Sequence, residues 1–147
     1  MKKLKSVLVA LAIVAMIGAA NAAVGYIDYA KVIDNYDYAK QVTKEVDAKG
    51  LEMQQFLVDK EKEYKSLDTP LKKQTFEERV SQEFKAKESA YMSLKERREL
   101  EVYNRIKDAA KAVMVEQKLD AIMDGRGVFV GGVDITQSVI SKLKLAK

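Results

Sequence analysis

The spacing of apolar positions changes period along this chain, and each change predicts an element. "VGYI", Val24 to Ile27, has the β-branched and aromatic character of a short strand. Asp28, just after it, is placed to cap a brief helix beginning near Tyr29. From about Tyr38 the period becomes three-and-four. Val46, Gly50, Met53, Leu57, Lys60, Tyr64 and Leu67 form a heptad seam with two interruptions, Gly50 and Lys60. Nearly every position off the seam is polar, which predicts a helix that lays one narrow apolar stripe against one partner.

Pro70, the only proline, cannot occupy a helix interior without losing a hydrogen bond and clashing with the preceding turn. The first long helix is therefore expected to end near Ser66 to Asp68. Thr75, with Glu78 three residues on, reads as a capping box, so the second long helix is expected to start at Phe76, with the bend of a helical hairpin over 66–75. Its stripe is Val80, Phe84, Tyr91, Leu94, Val102, Ile106, Ala109 and Val113. At about 1.5 Å per residue, a helix from Phe76 to Lys118 is roughly 60 Å long, too long for a compact body, so the hairpin has to protrude.

The pattern breaks again at "KLDAIMDGRGVFVGGVDIT". Leu119 to Met123 reads as a strand, Asp124 to Gly127 as a tight hairpin turn, and Val128 to Val130 as a further strand that Gly131 and Gly132 stop. Asp134, with Gln137 three later, is placed to cap a final amphipathic helix through Val139, Ile140 and Leu143. Three short strands at the two ends of one long hairpin imply that the ends meet. The fold class read from this is α+β: a small β body over 23–37 and 119–147, and a long antiparallel helical hairpin, a coiled-coil arm, over 38–118.

Composition narrows what such a chain does. Lys2, Lys3 and Lys5 precede an apolar or small run from Val7 to Ala20, closed by Ala20-Asn21-Ala22. That is the pattern of a cleaved secretory signal peptide over 1–22, and the run is short of the roughly 18 residues a membrane span needs. Export to the periplasm is the expected destination. Losing three lysines lowers the formal net charge from +4 to +1, so a strongly basic nucleic-acid binder is not supported and no nucleic-acid partner is expected. With no cysteine and no histidine, the chain lacks disulfides, the commonest zinc ligand and the commonest general base. Stability must come from packing, and a chain of this size is expected to self-associate.

No stretch carries catalytic chemistry. "GRGVFVGG" lacks the lysine of a phosphate-binding loop, and its glycines flank an expected strand, so hairpin glycines account for them better. The acidic pairs Glu77-Glu78 and Asp34/Asp37 read as solvated faces and caps. The chain is therefore read as not an enzyme, with no cofactor and no metal. Lys72 to Lys107 holds ten basic against seven acidic residues, and Lys44 to Asp68 five against seven. Arg97 and Arg98 in the first of these segments suit either an anionic partner, including an anionic lipid surface, or salt bridging between the two helices. Met53, Phe56, Phe84, Tyr91 and Met92 are apolar groups on the arm, mostly on the seam, and with Arg97 and Arg98 they are candidate contacts for an unfolded chain.

"VGYIDYAKVI" near the start and, more specifically, "KLDAIMDGRGVFVGGVDITQSVISKL" near the end carry a likeness: the chain resembles the Skp/OmpH family of periplasmic chaperones. The resemblance implies a homotrimer in which strands from three subunits close a small β-barrel and three hairpins hang as tentacles around a cavity. It also implies that unfolded outer-membrane β-barrel proteins are held there without ATP. On that analogy Val24, Tyr26, Ile27, Leu119, Ile122, Val128, Phe129 and Val130 belong to the trimer body, and the arms from about Ala39 to Lys118 line the cavity. Members are often distinctly basic, whereas this chain without its leader is near neutral. Apolar contact and confinement then carry more of the binding. The alternative, from another class, is a structural or adaptor coiled-coil protein of the cell envelope.

Overall fold

The computed structural model describes residues 22–146, and the expected signal peptide falls almost wholly outside them, on 1–21. Strand β1 (Val24–Ile27) leads into helix α1 (Tyr29–Asp34), whose N-terminus is capped by the Asp28 side chain accepting from the Lys31 amide. Helix α2 (Asp37–Lys65) runs out along the arm. Helix α3 (Pro70–Glu116) returns along it. Strand β2 (Ala121–Asp124), a 3-10 turn (Gly125–Gly127), strand β3 (Val133–Asp134) and helix α4 (Thr136–Leu145) complete the order.

The bend is tighter than the capping-box reading allows. Thr69 is the N-cap of α3, its hydroxyl accepting from the Lys72 amide, and Pro70 occupies the first turn, where the missing N–H costs nothing. Thr75 instead lies inside the helix and donates back to the Leu71 carbonyl. Two capping signals six residues apart competed, and the outer one won because proline preorganises the first turn while Leu71 to Gln74 lose nothing by being helical.

The far end of α3 stops just short of the expected Lys118. Among the described residues, Lys118 is the one non-glycine residue with positive φ, at 54°. The Leu119 amide reaches the Met114 carbonyl at 2.9 Å and the Lys118 amide reaches Val115 at 3.2 Å, a left-handed closure that satisfies the last carbonyls and turns the chain toward the sheet.

The sheet has the order β2-β1-β3, and both pairings are parallel, with Val24 opposite Ala121, Ile27 opposite Asp124, and Tyr26 opposite Asp134. The expected hairpin is therefore absent. Because β1 lies between β2 and β3, the segment from Gly125 to Gly132 has to carry the chain back across the sheet rather than pair with β2. Its first part is the 3-10 turn closed by Asp124 accepting from the Arg126 amide. Val128 to Val130 is not a strand, and Phe129 and Val130 stand in solvent. The third strand forms three residues later, at Val133–Asp134. Positive φ occurs at Gly131 and Gly132 (86° and 82°), not in the Asp124–Gly127 turn, and at Gly132 a Cβ would lie 3.2 Å from the Val24 carbonyl oxygen.

A single core joins the body to the base of the arm. Val32 of α1, Ile135 and Val139 are wholly buried, and around them pack Tyr36, Ala39, Val42 and Val46 from one side of the hairpin and Val102, Ile106, Ala109, Ala110 and Val113 from the other, with Ile140 and Leu143 of α4 behind. Thr136 ties α4 to β1, accepting from the Asp28 amide at 3.0 Å and donating to Asp134 at 2.5 Å. Beyond Val46 and Val102, the only fully buried residue of the hairpin is Phe76 near the bend.

Candidate functional site

Both ends of the expected binding machinery, the arm and the sheet edges, have definite geometry. In the outer arm the seam is formed but not sealed. Leu57, Tyr64, Phe76, Val80 and Phe84 line an open groove of about 460 Å³, and Met53, Tyr91 and Leu94 line a smaller one of about 300 Å³. The two interruptions of the heptad are filled from across the seam or by snorkelling. Lys60 lays its stem into the groove and sets its ammonium 5.7 Å from both the Phe56 and Phe76 ring centres while bonding Glu63 at 2.8 Å. Gly50 is met by the Tyr91 ring.

Cations roof the aromatics throughout this region. Lys87 lies 5.1 Å from the Phe56 ring, Arg79 lies 5.3 Å from Phe76, and Lys73 lies 5.3 Å from Tyr64. Phe56, which the sequence placed beside the seam, thus contacts a cation from each helix. Met53, Phe56, Phe84 and Tyr91 are half-buried on the hairpin, while Met92 and Arg97 face outward in solvent.

Arg98 has a different surrounding. Its guanidinium donates to Glu45 across the seam at 2.6 and 3.0 Å, to the Tyr38 hydroxyl at 3.0 Å and to Glu101 at 2.8 Å. Those carboxylates, Glu45 first, hold the guanidinium above its ordinary value, and the Tyr38 hydroxyl followed by Arg98 holds the Glu101 carboxyl below its own. Arg98 therefore joins α2 to α3, as the salt-bridging reading expected, while Arg97 has no ion pair among the described residues. Glu63 and Arg79, 3.2 Å apart, form the corresponding cross-helix pair near the bend.

In the body, Val24, Tyr26 and Ile27 lie in β1, Ile122 in β2, and Leu119 just ahead of β2, all half-buried. Val128, Phe129 and Val130 fall outside the sheet on the return segment. The outer edges of β2 and β3 have no neighbouring strand among the described residues; Met123 of β2 and Val133 of β3 are exposed, as are Phe129 and Val130 of the return segment. The sheet is open.

Sequence reasoning missed a second apolar band at the root of the arm. Leu100 and Tyr103 of α3 are half-exposed and, with Tyr29, Ile33 and Val42, line a groove of about 540 Å³. A neighbouring groove of about 460 Å³ continues from Tyr103 over Met114 to Ile122 and Met123 of β2. The spacing of Leu100, Tyr103 and Met114 on one flank of a helix was available in the sequence. Only their nearness to Tyr29 and β2 gives them meaning.

Among the described residues no group of three or more acidic side chains is placed to hold a metal ion, and no helix is long and apolar enough to cross a membrane. What the fold and its surfaces define is a long two-helix arm with unsealed apolar grooves, carried on a small open parallel sheet. The OmpH-like family of outer membrane proteins matches residues 23–143, the sheet, the arm and nearly all of α4. The chain belongs to that family. No curated protein matches it. Among solved structures it is similar to an OmpH-like outer membrane chaperone from Caulobacter crescentus CB15, with 14% identity, 88% of each chain covered and a TM-score of 0.43.

Proposed function

We propose that this protein is an ATP-independent holdase of the periplasm, which keeps unfolded outer-membrane β-barrel proteins from aggregating by enclosing them between helical arms. The observation that carries the reading is the outer arm: a seam of large apolar side chains left in open grooves on a member of the OmpH-like family. Exposed apolar surface of that extent on an arm suits a chain that offers many weak contacts. Weakness is useful to a holdase, because release then needs no fuel, and several arms acting on one client multiply avidity without a tight site.

The assembly we propose is a homotrimer. Each subunit has two uncovered sheet edges and apolar residues beside them, and joining three such sheets into a closed barrel removes the edges. Val24, Tyr26, Ile27 and Ile122 would supply strands, Leu119 would belong to the body just ahead of β2, and Val128, Phe129 and Val130 would cover the joins from the return segment. Met53, Phe56, Phe84, Tyr91, Met92 and Arg97 are the proposed client contacts. Arg98 supports the arm through Glu45, and contact of the basic residues with anionic lipid is secondary.

Dilution of a denatured outer-membrane β-barrel protein, with and without the purified chain, tests this by light scattering. Suppressed scattering at equimolar trimer is expected. Unchanged scattering at severalfold excess overturns the holdase reading in favour of a structural coiled-coil role. Mass in solution tests the trimer separately, and a monomer removes the barrel.

A further inference from the structure

Ala23 is the first residue that the OmpH-like family matches, and it directly follows the Ala20-Asn21-Ala22 pattern expected to be cut on export. One residue holds it on both sides. The Ala23 nitrogen donates to the Asp120 carboxylate at 2.7 Å, and the Ala23 carbonyl accepts from the Asp120 amide at 2.8 Å. From there β1 and β2 run on in register, with Val24 opposite Ala121. The left-handed turn at Lys118 carries Asp120 to this point, and beside it Leu119 closes over Gly25, where an added Cβ would lie 2.7 Å from the Leu119 Cδ1. Among the described residues, the Ala23 nitrogen is the one donor to the Asp120 carboxylate, and no lysine or arginine pairs with it.

We propose that removal of the leader completes this contact: cleavage between Ala22 and Ala23 turns the Ala23 nitrogen into an α-ammonium that forms an ion pair with Asp120 and fastens the central strand of the sheet. Hydrolysis breaks the amide bond, the oxygen of water goes to the Ala22 carboxylate on the departing leader, and the nitrogen leaves as an amine that is protonated at neutral pH. An amide offers one proton and no net charge. An ammonium offers three protons and a full charge, and charge-assisted bonds to a carboxylate are shorter and about twice as strong as neutral ones. Because β1 lies between β2 and β3, whatever fixes its first residue steadies both pairings. The uncut chain closes the same sheet more weakly than the processed one. Asp120 is exposed, so the gain is modest and falls with added salt. The inference rests on the cut after Ala22 and concerns the body alone, so it does not depend on the holdase reading.

Four forms of the chain without its leader test it: one with a free Ala23 amine, one with that amine acetylated, which restores the neutral amide of the precursor, and Asp120→Asn in each background. In amide hydrogen exchange, residues 24–27 are expected to be roughly two- to fivefold better protected with the free amine than with the acetylated one, the range that exposed ion pairs supply. The difference is expected to vanish in Asp120→Asn and to shrink at high salt, while residues 102–113 stay unchanged. A second reading does not rely on stability. Acylation of the Ala23 amine by an amine-reactive ester at neutral pH, followed by peptide mass, is expected to be slower in the unmodified chain than in Asp120→Asn by a similar factor. Equal protection in the free and acetylated forms, a difference that survives Asp120→Asn, or equal acylation rates overturn the ion pair. The mass of the chain recovered after export locates the cut separately, and a start at any residue other than Ala23 overturns the proposal at its first step.

Discussion

The root and the outer half of the arm are built from the same two helices with the same three-and-four spacing, yet they differ in what the spacing achieves. At the root, Val46 is 8% exposed, and Ile106 is 1% exposed. In the outer half, Leu57 is 45% exposed. Two helices alone bury only the line between them. Where α1 and α4 pack against the root, that line widens into a core, and where they stop it becomes a groove. An apolar stripe thus states that a helix has a partner; how many partners it has decides whether the stripe holds the fold together or remains free to hold something else.

The sharpest way to break this comparison is to truncate one seam residue in each half. Ile106→Ala removes a fully enclosed side chain from the root and is expected to cost about 2–5 kcal/mol. Leu57→Ala, at a position already half in solvent, is expected to cost below about 1 kcal/mol, while weakening suppression of client aggregation. Urea midpoints at fixed protein concentration measure both. Similar losses at the two positions would mean that the outer groove is closed in solution.

A smaller effect separates the body from the arm. Gly132→Ala forces a side chain into a left-handed backbone with its Cβ 3.2 Å from the Val24 carbonyl oxygen and from the Tyr26 ring, with an expected cost of about 1–2 kcal/mol and loss of the β1–β3 pairing. Gly127→Ala meets nothing within 4 Å and has ordinary φ, so a change within about 0.5 kcal/mol is expected there. If both variants behave alike, the return segment has another path than the one described here.

How much of this was legible in the sequence follows from the range of the forces involved. The strand at Val24–Ile27, the Asp28 cap, the hairpin and the last helix were readable because each is set by neighbours in the chain. Misreadings arose where the deciding partner is remote. Nothing local in "DGRGVFVGG" distinguishes a hairpin from a return across a parallel sheet; that choice is made by β1, nearly one hundred residues earlier, pairing with both β2 and β3. Arg98 was legible as a candidate for salt bridging between the helices, but its partner, Glu45, 53 residues away, was not. The start of α3 is a different case: Thr69-Pro70 is as local a signal as Thr75/Glu78, and the proline in the first turn decides between them. For the site, the seam residues of the outer arm were legible by period, whereas the band of Leu100, Tyr103 and Tyr29 required the tertiary fold.

The smallest expected effect concerns acid. In the body, Arg126 holds the Asp124 carboxyl down from the ordinary 3.8 to about 2, and in the outer arm Lys65, Lys60 and Lys72 hold Glu61, Glu63 and Asp68 below their ordinary values. A carboxyl whose value is depressed by folding contributes stability that is complete above its unfolded value and is lost as pH falls through the folded one. The urea midpoint is therefore expected to stay level from neutral pH down to about 4.5 and to decline below about pH 4 through the loss of these pairs. Because every one of these groups is exposed, the decline they cause is shallow. Glu63 alone among them also bonds a residue of the other helix, Arg79, so Glu63→Gln is expected to flatten the decline in a probe of the outer arm more than Glu61→Gln does. A midpoint that rises on acidification, or equal responses from the two variants, would show that the helices of the outer arm are not joined by that pair.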